Sequence, residues 1–399
     1  MKKRNLVLLV IALLSSVMTT SAQKGDQNMF NPLRTAVASL VIAPDARGAG
    51  LGDVGAATSA DINSQFWNPA KYAQMESRGG FSLSYTPWLR KIVSDISLSN
   101  LSGYYKLDEF QSLSTSFRYF SLGEITLTGE PGAAGGDPYP IGIAQPYELA
   151  ADLGYSRNLS ERWSAAVVLR FIYSDLFNGL DDASSYSKGI AGAADVAAYY
   201  LAPVNVGGPK DGKASFGLNI SNIGTKISYD NGERQQFIPT NLKIGGAFEF
   251  PFDEYNSLTL AVDLNKLLVP TPPRRTEGMS DADYRQVWED YQNTSSIAGI
   301  FRSFGDAPGG FREELEEIMW SAGLEYAYDK QFLVRGGYFH ESQNKGNRKF
   351  FCFGVGFNLS MFQLNAAYLI AVAQTNPLDQ TLRFTLGFDL DGLKNVVKN

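Results

Sequence analysis

The chain has 399 residues, a net charge of −6, one histidine and one cysteine. The acidic balance excludes an electrostatic nucleic-acid binder, and the lone Cys352 excludes an intramolecular disulfide framework. A mean hydropathy of −0.15, with no later apolar stretch near 18 residues, excludes a protein crossing a membrane by helices; it permits one crossing by strands, where every second residue is apolar.

At the start, Lys2, Lys3 and Arg4 precede an unbroken apolar run from Leu6 to Leu14 and the small residues Thr20, Ser21 and Ala22. This is the pattern of an export signal over 1–22, removed ahead of Gln23. The run is too short to span a bilayer as a helix, and no cysteine follows it to take a lipid anchor. Residues 23–78 do not alternate and are too polar for a lipid-facing strand. They contain Ala43-Pro44-Asp45-Ala46-Arg47-Gly48-Ala49-Gly50-Leu51-Gly52-Asp53-Val54-Gly55, then Asp61-Ile62-Asn63 and Phe66-Trp67-Asn68-Pro69-Ala70.

From 79 to 390 one pattern repeats: segments of about ten or more residues alternate apolar and polar side chains between turn residues. Phe384, Leu386 and Phe388 interleave with Arg383, Thr385 and Gly387; Trp163, Ala165, Val167, Leu169 and Phe171 interleave with Ser164, Ala166, Val168 and Arg170. A period of two places each set on its own face of a strand. The spacing predicts fourteen strands near 79–88, 92–107, 110–129, 146–159, 161–177, 187–201, 213–230, 237–251, 256–269, 319–329, 331–343, 347–359, 361–374 and 379–390, an even number as single-chain bacterial barrels require, with the weak patterning of 92–107 and 187–201 leaving twelve or sixteen as alternatives. Asp108-Glu109, Asn158 to Glu161, Asp253-Glu254, Asp329-Lys330 and Ser360 mark tight turns after the second, fourth, eighth, tenth and twelfth strands, whereas 130–145 and 270–318 are long loops at the other end. The expected architecture is therefore an all-β transmembrane barrel of fourteen antiparallel strands over 79–390. The segment 23–78 reads as an N-terminal plug inside the lumen, and 391–399 as a tail, with both termini on the periplasmic, short-turn side.

The loop 270–318 opens with Pro270, Pro272 and Pro273, and Ser280 with Asp283 resembles a capping box. Tyr284, Val287, Trp288 and Tyr291 follow at helical spacing on one face, a face for packing on the barrel rim or for docking a partner. A second, acidic helix is expected from Gly310 to Ile318.

Asn68-Pro69-Ala70 just ahead of the first strand resembles the FadL superfamily of outer-membrane transporters. The longer run from Ala43, together with Ser84-Tyr85-Thr86-Pro87-Trp88-Leu89, is similar to the PorV (also LptO) family, FadL-like barrels of the type IX secretion system. That resemblance covers nearly the whole chain in layout. It implies a FadL-like barrel in the bacterial outer membrane, in contact with lipid and lipopolysaccharide, that is not an enzyme. It also implies a component that binds the C-terminal signal domains of secreted cargo beside the translocon barrel and carries them to a sortase-like attachment complex. The alternative it leaves is a FadL-type transporter of hydrophobic small molecules. Within the plug motif, Arg47, Gly48, Gly50, Gly52, Asp53, Gly55, Asn68, Pro69 and Ala70 stand out: the glycines allow close backbone approach, Arg47 is set to meet lumen carboxylates, and Asn68 with Pro69 is set to turn the chain into the first strand.

The alternation sends Glu148, Asp152, Asp195, Glu249, Asp263 and Glu325 inward with Arg118, Arg170, Lys243, Arg335 and Arg383, a set suited to holding strands and plug together. The only histidine, His340, falls toward the loop end of its strand, which argues against a Ser–His–Asp triad. No catalytic residue, metal ligand set or cofactor is expected; acidic loops leave calcium open.

Overall fold

The computed structural model describes residues 30–392 except 92, 130–138, 180–185, 209, 276–277, 360, 373–375 and 377. The expected signal segment, the first residues of the plug, the glycine- and proline-rich loop tip, Ser360 and most of the tail lie outside the described residues. From Asn31 onward the described chain is one compact unit.

Fourteen strands close into an antiparallel barrel: β1 Gly79–Pro87, β2 Ser97–Lys106, β3 Gln111–Ser121, β4 Tyr147–Asn158, β5 Trp163–Asp175, β6 Gly189–Val204, β7 Gly212–Gly224, β8 Asn241–Pro251, β9 Asn256–Leu267, β10 Met319–Tyr328, β11 Phe332–His340, β12 Lys349–Asn358, β13 Phe362–Ala371 and β14 Leu382–Asp389. Each strand pairs with its sequence neighbours. β1 closes on β14 from Gly80 opposite Asp389 to Tyr85 opposite Phe384, so the barrel sheet has no free edge.

The alternation sets the two faces. Phe81, Leu83, Leu101, Phe117, Leu153, Val167, Leu169, Phe171, Val262, Leu324, Phe353, Val355 and Leu364 are exposed, an apolar belt around the outside. Their neighbours in sequence (Ser82, Asn100, Ser116, Arg118, Asp152, Arg170, Asp263, Arg335) are buried inside. Backbone groups are satisfied by the ladders, which a hydrocarbon surround demands.

The tight turns fall where Asp side chains hold them. Asp108 Oδ1 accepts the amides of Phe110 and Gln111, Asp253 Oδ1 those of Tyr255 and Asn256, and Asp329 and Lys330 both have positive φ.

Two expected strands stop early. The third ends at Ser121, because Gly123 turns at φ 80° and the Glu124 amide is held by Asp95; Ile125–Gly129 then pairs with Tyr139–Ala144 as a separate hairpin. The seventh ends at Gly224, with Ile227–Ser228 pairing Gln235–Gln236 beyond it. Between β6 and β7 the register shifts at Ala194–Val196, where Asn222 sits at φ 60° and its amide donates to Asp195. The bulge turns Asn222 toward the interior.

Residues 31–78 run through the interior. Helix α1 (Ala46–Gly50) packs on β11 to β14, while the 3-10 turn Pro69–Gln74 packs on β2 to β6 across the ring. Between them lies the single turn α2 (Ser64–Trp67). The described chain starts at the long-loop end, where the Asn31 amide donates to Asn344 and its side chain to Pro272, and descends to β1 at the opposite end.

The loop between β9 and β10 carries three helices: α3 Asp281–Asn293, α4 Ser296–Arg302 and α5 Phe311–Glu316. The second helix expected at 310–318 is shorter than that span, running only from Phe311 to Glu316, and α4 was not anticipated.

Candidate functional site

The interior segment is held by side chains that the alternation sends inward. Arg47 lies between Asp61 (2.7 Å) and Glu325 (3.0 Å), and Glu325 also accepts from Arg335 at 2.6 Å. Asp53, at φ 62°, accepts from Arg383 of β14 at 2.9 Å. On β9, the strand beside that of Glu325, Asp263 accepts the amides of Gly55 and Ala56 at 2.8 and 2.9 Å. These are charge-assisted bonds between largely buried groups, where each is stronger than its surface equivalent.

The glycines serve Trp67. A Cβ on Gly48 or Gly55 would stand 2.2 Å from its indole, and the indole donates to Asp45, which also caps α1 at the Gly48 amide. Gly52 combines φ +79° with a position where a Cβ would stand 2.6 Å from the Tyr338 amide nitrogen; Gly50 lies against Gly354. Asn68 Oδ1 accepts the Ala70 amide, and its Nδ2 donates to Ala56 O and to Ala198 O of β6. Pro69 opens the 3-10 turn, and Ala70 is fully buried against Ala166, Ala197 and Tyr199. All nine residues of the motif thus sit in one interior cluster. Lys71 belongs to it unannounced: fully buried, it donates to Gly55 O and Thr58 Oγ1. A single lysine beside an Asn-Pro-Ala turn carries no pattern to find it by.

Arg170 bridges Asp152 and Asp195 at 2.7 and 2.9 Å. Arg118 donates to the carbonyl of Ser39 and lies over Phe66, which Lys243 also faces at 4.9 Å. Glu148 accepts the Ser39 amide, and Glu249 is half-buried beside Lys213. Two cavities result. One lies toward the long-loop end, its walls mixing Leu267, Met319, Phe339 and Phe350 with Lys243 and Arg383. The other, toward the short-turn end, has charged groups such as Arg47, Asp61, Lys213 and Glu249 in its walls beside Leu201 and Leu333. The two share no lining residue.

At the long-loop end, a second ion cluster fixes the cap. Glu313, Glu314 and Glu317 are buried around α5; Lys345 donates to Glu313 (2.7 Å) and Glu317 (2.9 Å), and Lys266 to Glu314 (3.1 Å) and Glu317 (2.7 Å). Arg274 pairs with Glu313, and Asn31 donates to it as well. Burial alone would raise the Glu313 carboxyl, but the Lys345 bond, the Gly309 amide and Arg274 hold it below the ordinary glutamate value. Burial raises Asp306, whose neighbours include Glu314 and Glu317.

The aromatic face of α3 turns toward its own chain. Trp288 lies between Tyr284 and Tyr291 with the Arg34 guanidinium 5.6 Å from its ring, Tyr291 meets Phe237 edge-on, and Val287 is partly exposed. Burial pushes the Tyr291 hydroxyl up to about 12. His340 stacks on Trp320 at the loop end, on the outward parity of its strand, while Cys352 is buried among Met319, Phe339 and Phe350. Among the described residues, no three His, Cys, Asp or Glu side chains are grouped to hold a metal ion.

A family model described as "Type IX secretion system protein PorV" matches residues 23–274. No curated protein matches the chain. Among solved structures, the TodX monoaromatic hydrocarbon channel with its deltaS2S3 mutation is similar at a TM-score of 0.51 and 10% identity, over 86% of this chain and 98% of that one. The Ralstonia pickettii toluene transporter TbuX (0.44, 11%, 86% and 97%) and a Pseudomonas aeruginosa FadL homologue (0.45, 10%, 88% and 99%) are more distant. Identities this low bear on the fold alone.

Proposed function

The chain belongs to the PorV family of type IX secretion system proteins, and from that premise we propose that it is a non-enzymatic carrier of secreted cargo at the outer membrane. It is an outer-membrane β-barrel component of that system. On our reading, its long-loop end faces the cell exterior and receives the C-terminal signal domain of a substrate leaving the translocon barrel. It then presents that domain to a sortase-like attachment complex. The observation that carries this reading is the interior segment: Arg47, Asp53, Gly55, Ala56 and Asn68 bond strands around the ring, and the two cavities have no residue in common. A barrel filled this way offers its loops, not its bore. The interior bonds would then keep the barrel rigid under the cap.

A strain lacking the protein should retain type IX substrates inside the cell, and the purified full-length barrel should bind a purified signal domain. Normal appearance of those substrates at the surface of the deletion strain would refute the proposal. The apolar residues Leu267, Met319, Phe339 and Phe350 in the walls of the long-loop-end cavity favour a second reading, a transporter of hydrophobic small molecules. In that case the deletion strain loses uptake of such compounds while secretion continues.

A further inference from the structure

The two short helices of the cap both turn large apolar side chains outward, and α5 does so with its carboxylates packed inward. On α5 and its C-terminal extension, Glu313, Glu314 and Glu317 are buried against Lys266, Lys345 and Arg274, while Phe311 and Leu315, one turn apart, are 78% and 52% exposed. On α4, Gly299 packs against Pro270 and Phe237, while Ile297 and Phe301, also one turn apart, are 56% and 74% exposed; Phe304 beyond them is 56% exposed. This lies outside the strands, so the lipid belt does not account for it. Between 296 and 316 the only exposed charged residues are Arg302 and Arg312; every carboxylate in that stretch is buried or partly buried. A helix left to water would show the reverse arrangement. Enrichment in phenylalanine and arginine, with lysine and carboxylates withdrawn, is the composition of a protein interface core, and an exposed apolar cluster of this kind marks a binding surface.

We propose that the outward face of α4 and α5, centred on Ile297, Phe301, Phe304, Phe311 and Leu315, is a docking site for a folded protein domain presenting an apolar patch with carboxylates at its rim. The rim follows from charge: Arg302 donates one bond to Thr294, and Arg312 stands 3.8 Å from Glu316 with most of its side chain in solvent, so both cations face outward. Resting on the function proposed above, the occupant is the C-terminal signal domain of a secreted substrate.

The test uses the full-length barrel in lipid nanodiscs and a purified signal domain from a substrate of the same organism. Phe301→Ser with Phe311→Ser removes exposed apolar surface without touching the ion cluster, and heat-modifiable mobility checks that the barrel is closed. Dissociation constants should rise on the order of tenfold or more, as for removal of central anchors. Arg302→Glu with Arg312→Glu, which leaves the apolar centre intact, should also weaken binding. If the wild type binds the domain and both variants bind within twofold of it, the docking site is refuted while the carrier function stands. If the wild type binds no signal domain and the deletion strain secretes normally, the carrier function falls and the docking site with it. Variants that change only quenching by brominated lipid, with signal-domain binding unaltered, would make the face a membrane contact and overturn the proposal.

Discussion

Helix α3 and the pair α4–α5 occupy one loop yet are built in opposite senses. In α3 the aromatics Tyr284, Trp288 and Tyr291 turn toward Arg34 and Phe237, and Asp281, Asp283, Arg285, Glu289 and Asp290 turn to water. In α4–α5 the carboxylates go in and the phenylalanines come out. Aromatic packing and a cation–π contact hold the first. The second is held by buried ion pairs, which gain little over apolar packing but are costly to break singly. What this teaches is a division of labour: α3 closes the cap, while the ion cluster frees an apolar surface for something else.

The largest effect is therefore expected at the ion cluster. Lys345→Met leaves Glu313 and Glu317 buried with one cation fewer, a cost of about 3–5 kcal/mol to the cap. The barrel strands, whose ladders do not involve Lys345, should remain closed. Limited proteolysis should cut within 303–317 in the variant and not in the wild type, with unchanged heat-modifiable mobility. Equal resistance of the two proteins would show that the cluster does not hold the cap.

Acid should reproduce part of this effect. Glu313 has a folded value below the ordinary carboxylate range, so its stabilisation is complete above about pH 4.3 and is lost as pH falls through that lower value. Asp306 has the opposite sign: its raised value means the cap gains as it takes up a proton above pH 4. The facing groups are Lys345, Arg274 and the Gly309 amide for Glu313, and Thr271, Glu314 and Glu317 for Asp306. Amide exchange over 307–317, corrected for the intrinsic pH dependence, should stay slow or slow slightly from pH 7 to 5 and quicken below 4. Protection that keeps rising down to pH 3 would contradict the assignment of Glu313 as the sensitive group.

Much of the barrel was legible because its signal is local. Period two needs only a strand's own residues, and each Asp turn bonds amides two or three positions away. All fourteen strands and the inward charges follow from that. The breaks at Ser121 and Gly224 were not legible, since a hairpin leaving the rim alternates as well as one that stays. In the interior segment, the glycines announced close packing, but what they pack against is Trp67, a match made only by folding. The cap was least legible. Arg34 meets Trp288 from more than 250 residues away, so the direction of the aromatic face could not be read from its spacing. In α4, seven residues with Gly299 among them give too short a period to register.

The smallest expected effect isolates α3 from its neighbours. Ser280 Oγ accepts the Asp283 amide at 3.2 Å and donates to the Asp283 carboxylate at 2.7 Å, a reciprocal cap on a thirteen-residue helix with no fully buried side chain. Ser280→Ala should cost about 1 kcal/mol, felt mainly in the first turn. Amides of 282–285 should exchange several-fold faster, while those around Trp288, held by Arg34 and Tyr291, should change less. Because the cap of α3 touches neither the ion cluster nor the outward phenylalanines, the affinity for a signal domain should not move. A loss of binding as large as that of the Phe301→Ser and Phe311→Ser variant would mean that the two parts of the loop act as one surface, and the division drawn between them would fail.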